Sequence, residues 1–309
     1  QGTYDYDHCS SRLGGVMTFT WKTAGGDMLW QIHPANAQTA AATLLVMGII
    51  NATPDSFSDG GSYDPVTQGL KLVEAGADIL DVGGESTRPG AEPVDTEEEL
   101  RRVIPVITAL AKETNVPLSI DTTKARVARE AVAAGAVIIN DVSALEADED
   151  MVPVALETGA ALVAMHRQGT PQTMQLQPHY ENVVKEVAQY LQLRLSALAR
   201  AGIAPERIVV DPGIGFGKGT RHNLELLARL EHLQQETGRP ILLGVSRKGF
   251  IHRTLGSPPD RERGDFGTCA LMLHAYQQGR VQIARVHHVA GMKAALGMWQ
   301  AVSQLAGEG

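Results

Sequence analysis

From Leu44 onward the chain alternates short aliphatic runs with longer stretches whose apolar residues recur at three- and four-residue spacing. The runs are LLVMGIIN (44–51), ADILDVGG (77–84), PLSID (117–121), VIIND (137–141), ALVAMH (161–166), RIVVDPG (207–213), ILLGVS (241–246) and QIARVHH (282–288). Their near-continuous aliphatic character suits strands buried on both faces, so they read as parallel strands. The stretches between them, such as EEELRRVIPVITALAKET (97–114) and YENVVKEVAQYLQLRLSALARAG (180–202), read as crossover helices. Gly76, Gly135, Gly159 and Gly202 each follow a helical stretch and stand a few residues before the next strand, as helix-terminating glycines do. A doubly wound open sheet would give the same alternation. Eight runs without a break in composition select an α/β chain with one (β/α)8 TIM barrel. Ahead of the barrel, which starts at about residue 44, TFTWK, GGD and MLWQI within 17–43 predict a β-hairpin at the barrel bottom. Residues 1–16 lack periodicity and read as an extension or cloning remnant before Met17, leaving 17–309 as a single catalytic domain.

Composition changes this picture little. A chain of 309 residues with 43% hydrophobic and 20% charged residues can bury a large core. The formal charge of −8 argues against a nucleic-acid or anionic-membrane surface, so any anion site must be local. Two cysteines without motif context suggest a reducing cytoplasm, and no apolar run is long enough for a membrane helix.

Chemistry is expected where strands end, because TIM barrels carry their sites at the C-terminal mouth. There the chain places Asn51, Gly83 to Arg88, Asp121, Asn140-Asp141, His166, Asp211, Ser246-Arg247-Lys248 and Arg285 to His287. For Asp141 or Ser86 the bland reading is a capping residue. Asp121 and Asp211 end aliphatic strands, where an unpaired carboxylate is costly, and a heterocycle with amino and ring N–H donors would satisfy both. Asn140 can offer that ring an acceptor and a donor. Lys248, Arg285 and His287 end the seventh and eighth runs, where such barrels often bind phosphate, and suggest an anionic group. The bland reading of Lys248 and Arg285 is an ion pair with Asp211 or a neighbouring acid. GIGFGK (213–218) has neither the spacing of a Walker loop nor that of a dinucleotide fingerprint, and no Cys/His pair has zinc spacing. A Mg²⁺ bridging pyrophosphate would need few protein ligands.

At this point the residues resemble a known family. MGIINATPDSFSDGG (47–61) and DVGGESTRPGA (81–91) resemble the two signature loops of dihydropteroate synthases. SIDT (119–122), IND (139–141), MHRQGTPQTM (165–174), DPGIGFGK (211–218), GVSRK (244–248) and RVH (285–287) follow in order, so the resemblance spans roughly 44–295. It implies condensation of 6-hydroxymethyl-7,8-dihydropterin pyrophosphate with p-aminobenzoate, releasing pyrophosphate, with Mg²⁺ as cofactor. It puts Asp121, Asn140, Met165, Asp211, Phe216 and Lys248 around the pterin. Asn51, Arg285 and His287 would hold the pyrophosphate, Asn51 also approaching the metal. Phe57, Thr87, Arg88, Pro89, Ser246 and Lys248 would shape the p-aminobenzoate pocket, with Asp121, Lys248, Arg285 and His287 as the catalytic set. Members are commonly homodimers.

Gly249 and His288 depart from the usual pattern without touching an assigned residue. Two other readings remain at this stage: a methyltetrahydrofolate methyltransferase-like barrel, which resembles the family at the Asp and Asn positions but lacks the SRK and RVH pair, and a non-catalytic pterin-binding protein.

Overall fold

A computed structural model describes residues 17–23, 26–32, 44–53, 64–86, 90–170, 172–174 and 176–306. The segment 1–16, Phe57, and Thr87, Arg88 and Pro89 lie outside the described residues. A hairpin of β1 (Met17–Thr23) and β2 (Gly26–Ile32) precedes eight parallel strands. These are β3 (Leu45–Asn51), β4 (Ile79–Gly83), β5 (Leu118–Asp121), β6 (Ile138–Asp141), β7 (Ala161–Met165), β8 (Ile208–Asp211), β9 (Leu242–Leu243) and β10 (Ile283–Val286). Helices α1 (Pro65–Glu74), α2 (Thr96–Glu113), α3 (Ala125–Ala133), α4 (Met151–Thr158), α5 (Val183–Arg200), α6 (Thr220–Ala228), α7 (Leu230–Thr237), α8 (Gly249–Leu255), α9 (Arg261–Gln277) and α10 (Val289–Ala306) alternate with them.

All eight aliphatic runs became strands, paired in sequence order from β3 to β8, with β10 beside β3 and β9 beside β10. A bridge from Val210 to Ile241 joins β8 to the start of the β9 run and closes the barrel. The seventh run forms only a two-residue ladder segment, because the chain turns at Ser246 toward α8. The four helix-ending glycines all adopt positive φ; at Gly159 the value of 67° caps α4 in a left-handed conformation that a side chain disfavours.

Period-two alternation sorts each strand into outward residues, which pack under the helices, and inward residues, which fill the barrel. Met47, Ile79, Ile138, Val163, Val209, Leu242 and Ile283 form one apolar inner layer. Beneath it sits Trp21 of β1, fully buried, with its indole N–H donating to the Arg207 carbonyl at 3.0 Å. The hairpin therefore stoppers the N-terminal end of the barrel, as the pattern of residues 17–43 predicts, and it does so with the ring of Trp21. Two residues further along each strand, the same inward phase reaches Asp81, Asn140, Met165, Asp211 and Arg285. The sheet register sets Asp121 opposite Asn140 and Met165 opposite Asp211. An apolar floor under a polar ring is thus a direct consequence of strand phase.

Candidate active site

The polar ring is organised by an ion-pair network across the barrel. Arg285 on β10 donates from Nε to Asp81 Oδ2 at 2.6 Å and from Nη2 to Asp121 Oδ2 at 2.7 Å. Asn140 Nδ2 donates to the same Asp81 oxygen at 3.0 Å. Asp81 Oδ1 is buried and has no hydrogen-bond partner among the described residues. The ion-pair reading of Arg285 therefore holds, with Asp81 and Asp121 as partners instead of Asp211. Sequence reasoning missed Asp81, although a signal was present: it is an acid in the middle of β4, whose residues are all buried. Arg285 has five N–H donors, so these two contacts leave part of its fork available to a further acceptor.

Burial shapes the charge states. It pushes the Asp121 carboxyl up to about 7, with Arg285 pulling it down and the charges of Asp81, Glu99 and Asp141 pushing it up again. Asp211 is likewise raised by burial, against the opposing Lys248 charge and the Gly213 N–H that donates to its Oδ1 at 2.7 Å. Lys248 is drawn down to about 8 by loss of water, against the attraction of Asp211. Its ammonium donates to the Ile214 carbonyl and lies 4.5 Å from the centre of the Phe216 ring, a cation–π contact. Asp211 Oδ2 and Lys248 Nζ converge on bare backbone at Gly244, where a β-carbon would sit 3.8 and 4.0 Å from them. Cations and carboxylates accordingly share one mouth.

Ser246 is buried and pairs with His287: its Oγ lies 2.9 Å from Nδ1 and accepts from the His287 backbone N–H at 3.1 Å. The Ser246 hydroxyl is thus held against both the backbone and the ring of His287. Asn51 ends β3, and its backbone pairs in register with Gly83. Lys248, Arg285 and His287 thus stand at one rim, each already held by a protein partner. Asp141, by contrast, is fully buried and accepts from Ser143 N, Ser143 Oγ and Leu145 N at 2.7, 2.6 and 3.2 Å, which closes the turn after β6; it is not the helix cap of the bland reading, since α4 begins only at Met151.

Beside Asp121 and Phe216 opens a small cavity of about 90 Å³, also lined by Val142, Arg167, Met174 and Glu85. Arg167 and Glu85 had no place in the sequence assignment. Glu85 and the buried Glu99 are both bound by Lys124, and Arg102 Nη1 donates to the Gly84 carbonyl at 2.8 Å, which fixes the base of the segment leading to residues 87–89. Among the described residues no three Asp, Glu, His or Cys side chains gather into a metal cage.

A barrel that gathers carboxylates, an amide, cations and an aromatic ring at the C-terminal ends of its strands has the layout of an α/β-barrel enzyme. The sequence pattern of the family described as pterin binding enzyme matches residues 47–287. A dihydropteroate synthase of Synechocystis sp. is 43% identical over 265 residues, covering 82% of this chain and 90% of the relative. The structure of Xanthomonas albilineans dihydropteroate synthase with 4-aminobenzoic acid superposes with a TM-score of 0.81 at 43% identity, covering 93% of this chain and 98% of the other. The same enzyme in complex with 7,8-dihydropteroate gives 0.75 at 45% identity, over 84% and 93% of the two chains. The chain belongs to the dihydropteroate synthase family of pterin-binding enzymes, which are transferases. No helix among the described residues is long and apolar enough to cross a membrane.

Proposed function

We propose that this chain condenses 6-hydroxymethyl-7,8-dihydropterin pyrophosphate with p-aminobenzoate to give 7,8-dihydropteroate and pyrophosphate. The observation that carries the reading is that Asp121 and Arg285 meet in one mouth at 2.7 Å, so a ring bound by the acid presents its leaving group to the cation rim.

In this reading Asp121, Asp211 and Asn140 hold the amino and ring N–H edge of the pterin, while Met165, Phe216 and the Lys248 stem pack on its faces. The unpaired donors of Arg285, with His287 and Asn51, take the pyrophosphate. Phe57, Thr87, Arg88, Pro89 and Ser246 flank the benzoate. The lone pair of the arylamine attacks the pterin methylene carbon as its bond to the pyrophosphate oxygen breaks; the amine then loses one proton to solvent. The nucleophile is competent at neutral pH, so catalysis is positioning plus electrostatics. The Asp121 carboxylate stabilises positive charge that spreads from the methylene carbon into the ring, and Arg285 stabilises the departing oxyanion.

Mg²⁺ fits this donor set as an ion carried by the substrate, since Asn51 supplies a neutral oxygen and Mg²⁺ typically keeps water and phosphate ligands. When bound it would neutralise charge on the pyrophosphate. We place the reaction in the cytoplasm, in keeping with the free thiol of Cys269, and in a homodimer, in keeping with the exposed Phe266, Met298, Val302 and Leu305 of α9 and α10.

The test is incubation with pterin pyrophosphate, p-aminobenzoate and Mg²⁺, following dihydropteroate and released pyrophosphate. One-to-one formation of both products supports the reading. Pterin binding without turnover would return the non-catalytic alternative, and methyl transfer from methyltetrahydrofolate would return the methyltransferase alternative.

A further inference from the structure

The mechanism leaves the buried Lys218 unused. Lys218, at the end of the DPGIGFGK segment, is fully buried, and no carboxylate pairs with it among the described residues. Its ammonium instead meets His166 Nδ1 at 2.8 Å, the Gly213 carbonyl at 2.9 Å, the Phe216 carbonyl at 3.0 Å and the His166 carbonyl at 3.4 Å. The three closest acceptors match the three donors of an ammonium group.

Burying a lysine in this way is costly and pushes its pKa well below the usual lysine value, because neutral dipoles and the charge of Asp211 restore only part of the lost hydration. A purely apolar filler would avoid that cost but would leave the Phe216 carbonyl and an imidazole nitrogen without this donor, and the Gly213 carbonyl with the Phe216 N–H alone. The geometry fits a cross-tie. Gly213 and Phe216 belong to the loop after β8, whereas His166 ends β7 next to Met165. The backbone at Gly213 comes so close that a β-carbon there would lie 1.8 Å from the His166 carbonyl oxygen. Neighbouring contacts complete the loop: Tyr180 donates to the Gly217 carbonyl at 2.9 Å, and Asn223 accepts from the Gly215 N–H at 2.8 Å. His166 is itself set by an edge-on contact with Tyr190 at 4.9 Å between ring centres. Burial and the adjacent ammonium hold its imidazole neutral, so its Nδ1 stays an acceptor.

We propose that Lys218 is a positioning residue for the heterocycle, tying the β8 loop to the end of β7 so that Asp211, Phe216 and Met165 hold one preformed pocket. This rests on the reading of the mouth as the pterin site. The loop touches Lys248, which the assignment shares between the two substrates, but it carries Asp211 and Phe216 for the pterin alone, so the larger effect should fall on the pterin.

The test uses the full-length chain. Wild-type affinity for the bare pterin is measured first; an absence of binding would refute the pterin reading itself and not the cross-tie. Lys218→Met, which keeps the stem and removes the donors, should weaken pterin binding about tenfold, the effect of leaving one or more buried acceptors unpaired. The KM for p-aminobenzoate should stay within about twofold, since the loop meets that substrate's assigned residues only at Lys248. His166→Phe, which retains the edge contact with Tyr190 and removes only the ring acceptor, should shift the same parameter in the same direction. Pterin affinity unchanged in both folded variants, or equal losses for both substrates, would overturn the proposal. Should neither variant fold, amide exchange in the ligand-free wild type decides: slow exchange at Gly215 and Phe216, comparable to β8, supports the cross-tie, and exchange as fast as in exposed turns overturns it.

Discussion

Replacing Asp81 by asparagine removes one negative charge from the mouth while keeping the size of the side chain and an acceptor for Arg285 Nε and Asn140 Nδ2. The two carboxylates of Asp81 and Asp121 grip a single guanidinium at 2.6 and 2.7 Å, so they face each other closely. Taking a separation of roughly 5 Å and an effective dielectric of about 20, their repulsion is roughly 3 kcal/mol, or about two pKa units on Asp121. Released from that repulsion and left with a larger share of Arg285, Asp121 should fall from about 7 toward the ordinary carboxylate range. The assay is the pH dependence of kcat/KM for pterin pyrophosphate at saturating p-aminobenzoate, which reports groups on the free enzyme. Because the ionised carboxylate is the form that accepts from the ring, the wild-type rate should fall as pH drops through about 7, and in Asp81→Asn that limb should move to lower pH by about one to two units. Binding of bare pterin provides the control, since the pyrophosphate has its own ionisation in this region. Stability gives an independent check with a defined sign. A carboxyl whose folded pKa is raised binds its proton more tightly in the native state, so its contribution is present below the unfolded value of 3.8 and is lost as pH rises through about 7. The melting temperature of the variant should therefore decline less than that of the wild type across this window. An acid limb that stays in place or moves upward would refute the assignment of Asp121 as the titrating group.

Three further outcomes follow from the same geometry. Arg285→Ala should weaken pterin pyrophosphate far more than bare pterin in calorimetry, by at least about tenfold more, given that charge-assisted bonds to phosphate oxygens are lost; equal losses would remove Arg285 from the anion site. Lys248 is drawn down to about 8, so it loses its charge as pH rises through that value, and the basic limb of the kcat/KM profile should lie there and flatten in Lys248→Met. Trp21→Ala should cost about 3–5 kcal/mol in denaturant unfolding by emptying the barrel floor, with the KM for both substrates little changed; a loss under about 1 kcal/mol would mean that the hairpin does not stopper the barrel.

What the linear sequence determined is everything with a short period. Alternation at two and at three to four residues, punctuated by glycine, was sufficient for eight strands, their helices and the barrel count. The same phase told which residues end strands, so Asp121, Asn140, Asp211, Lys248 and Arg285 were all legible as groups at one mouth. The hairpin was legible for the same reason, though not that Trp21 would be its buried anchor. What only the tertiary structure decided is which of these groups touch. Arg285 and Asp81 are 204 residues apart, and Lys218 and His166 are 52 apart. Their meeting depends on barrel closure and sheet stagger, which no local pattern encodes. Asp81 passed as one more residue of a buried strand and Lys218 as the end of a glycine-rich motif. A buried charge shows its purpose only through the partners that repay its lost hydration, and those partners arrive from other strands.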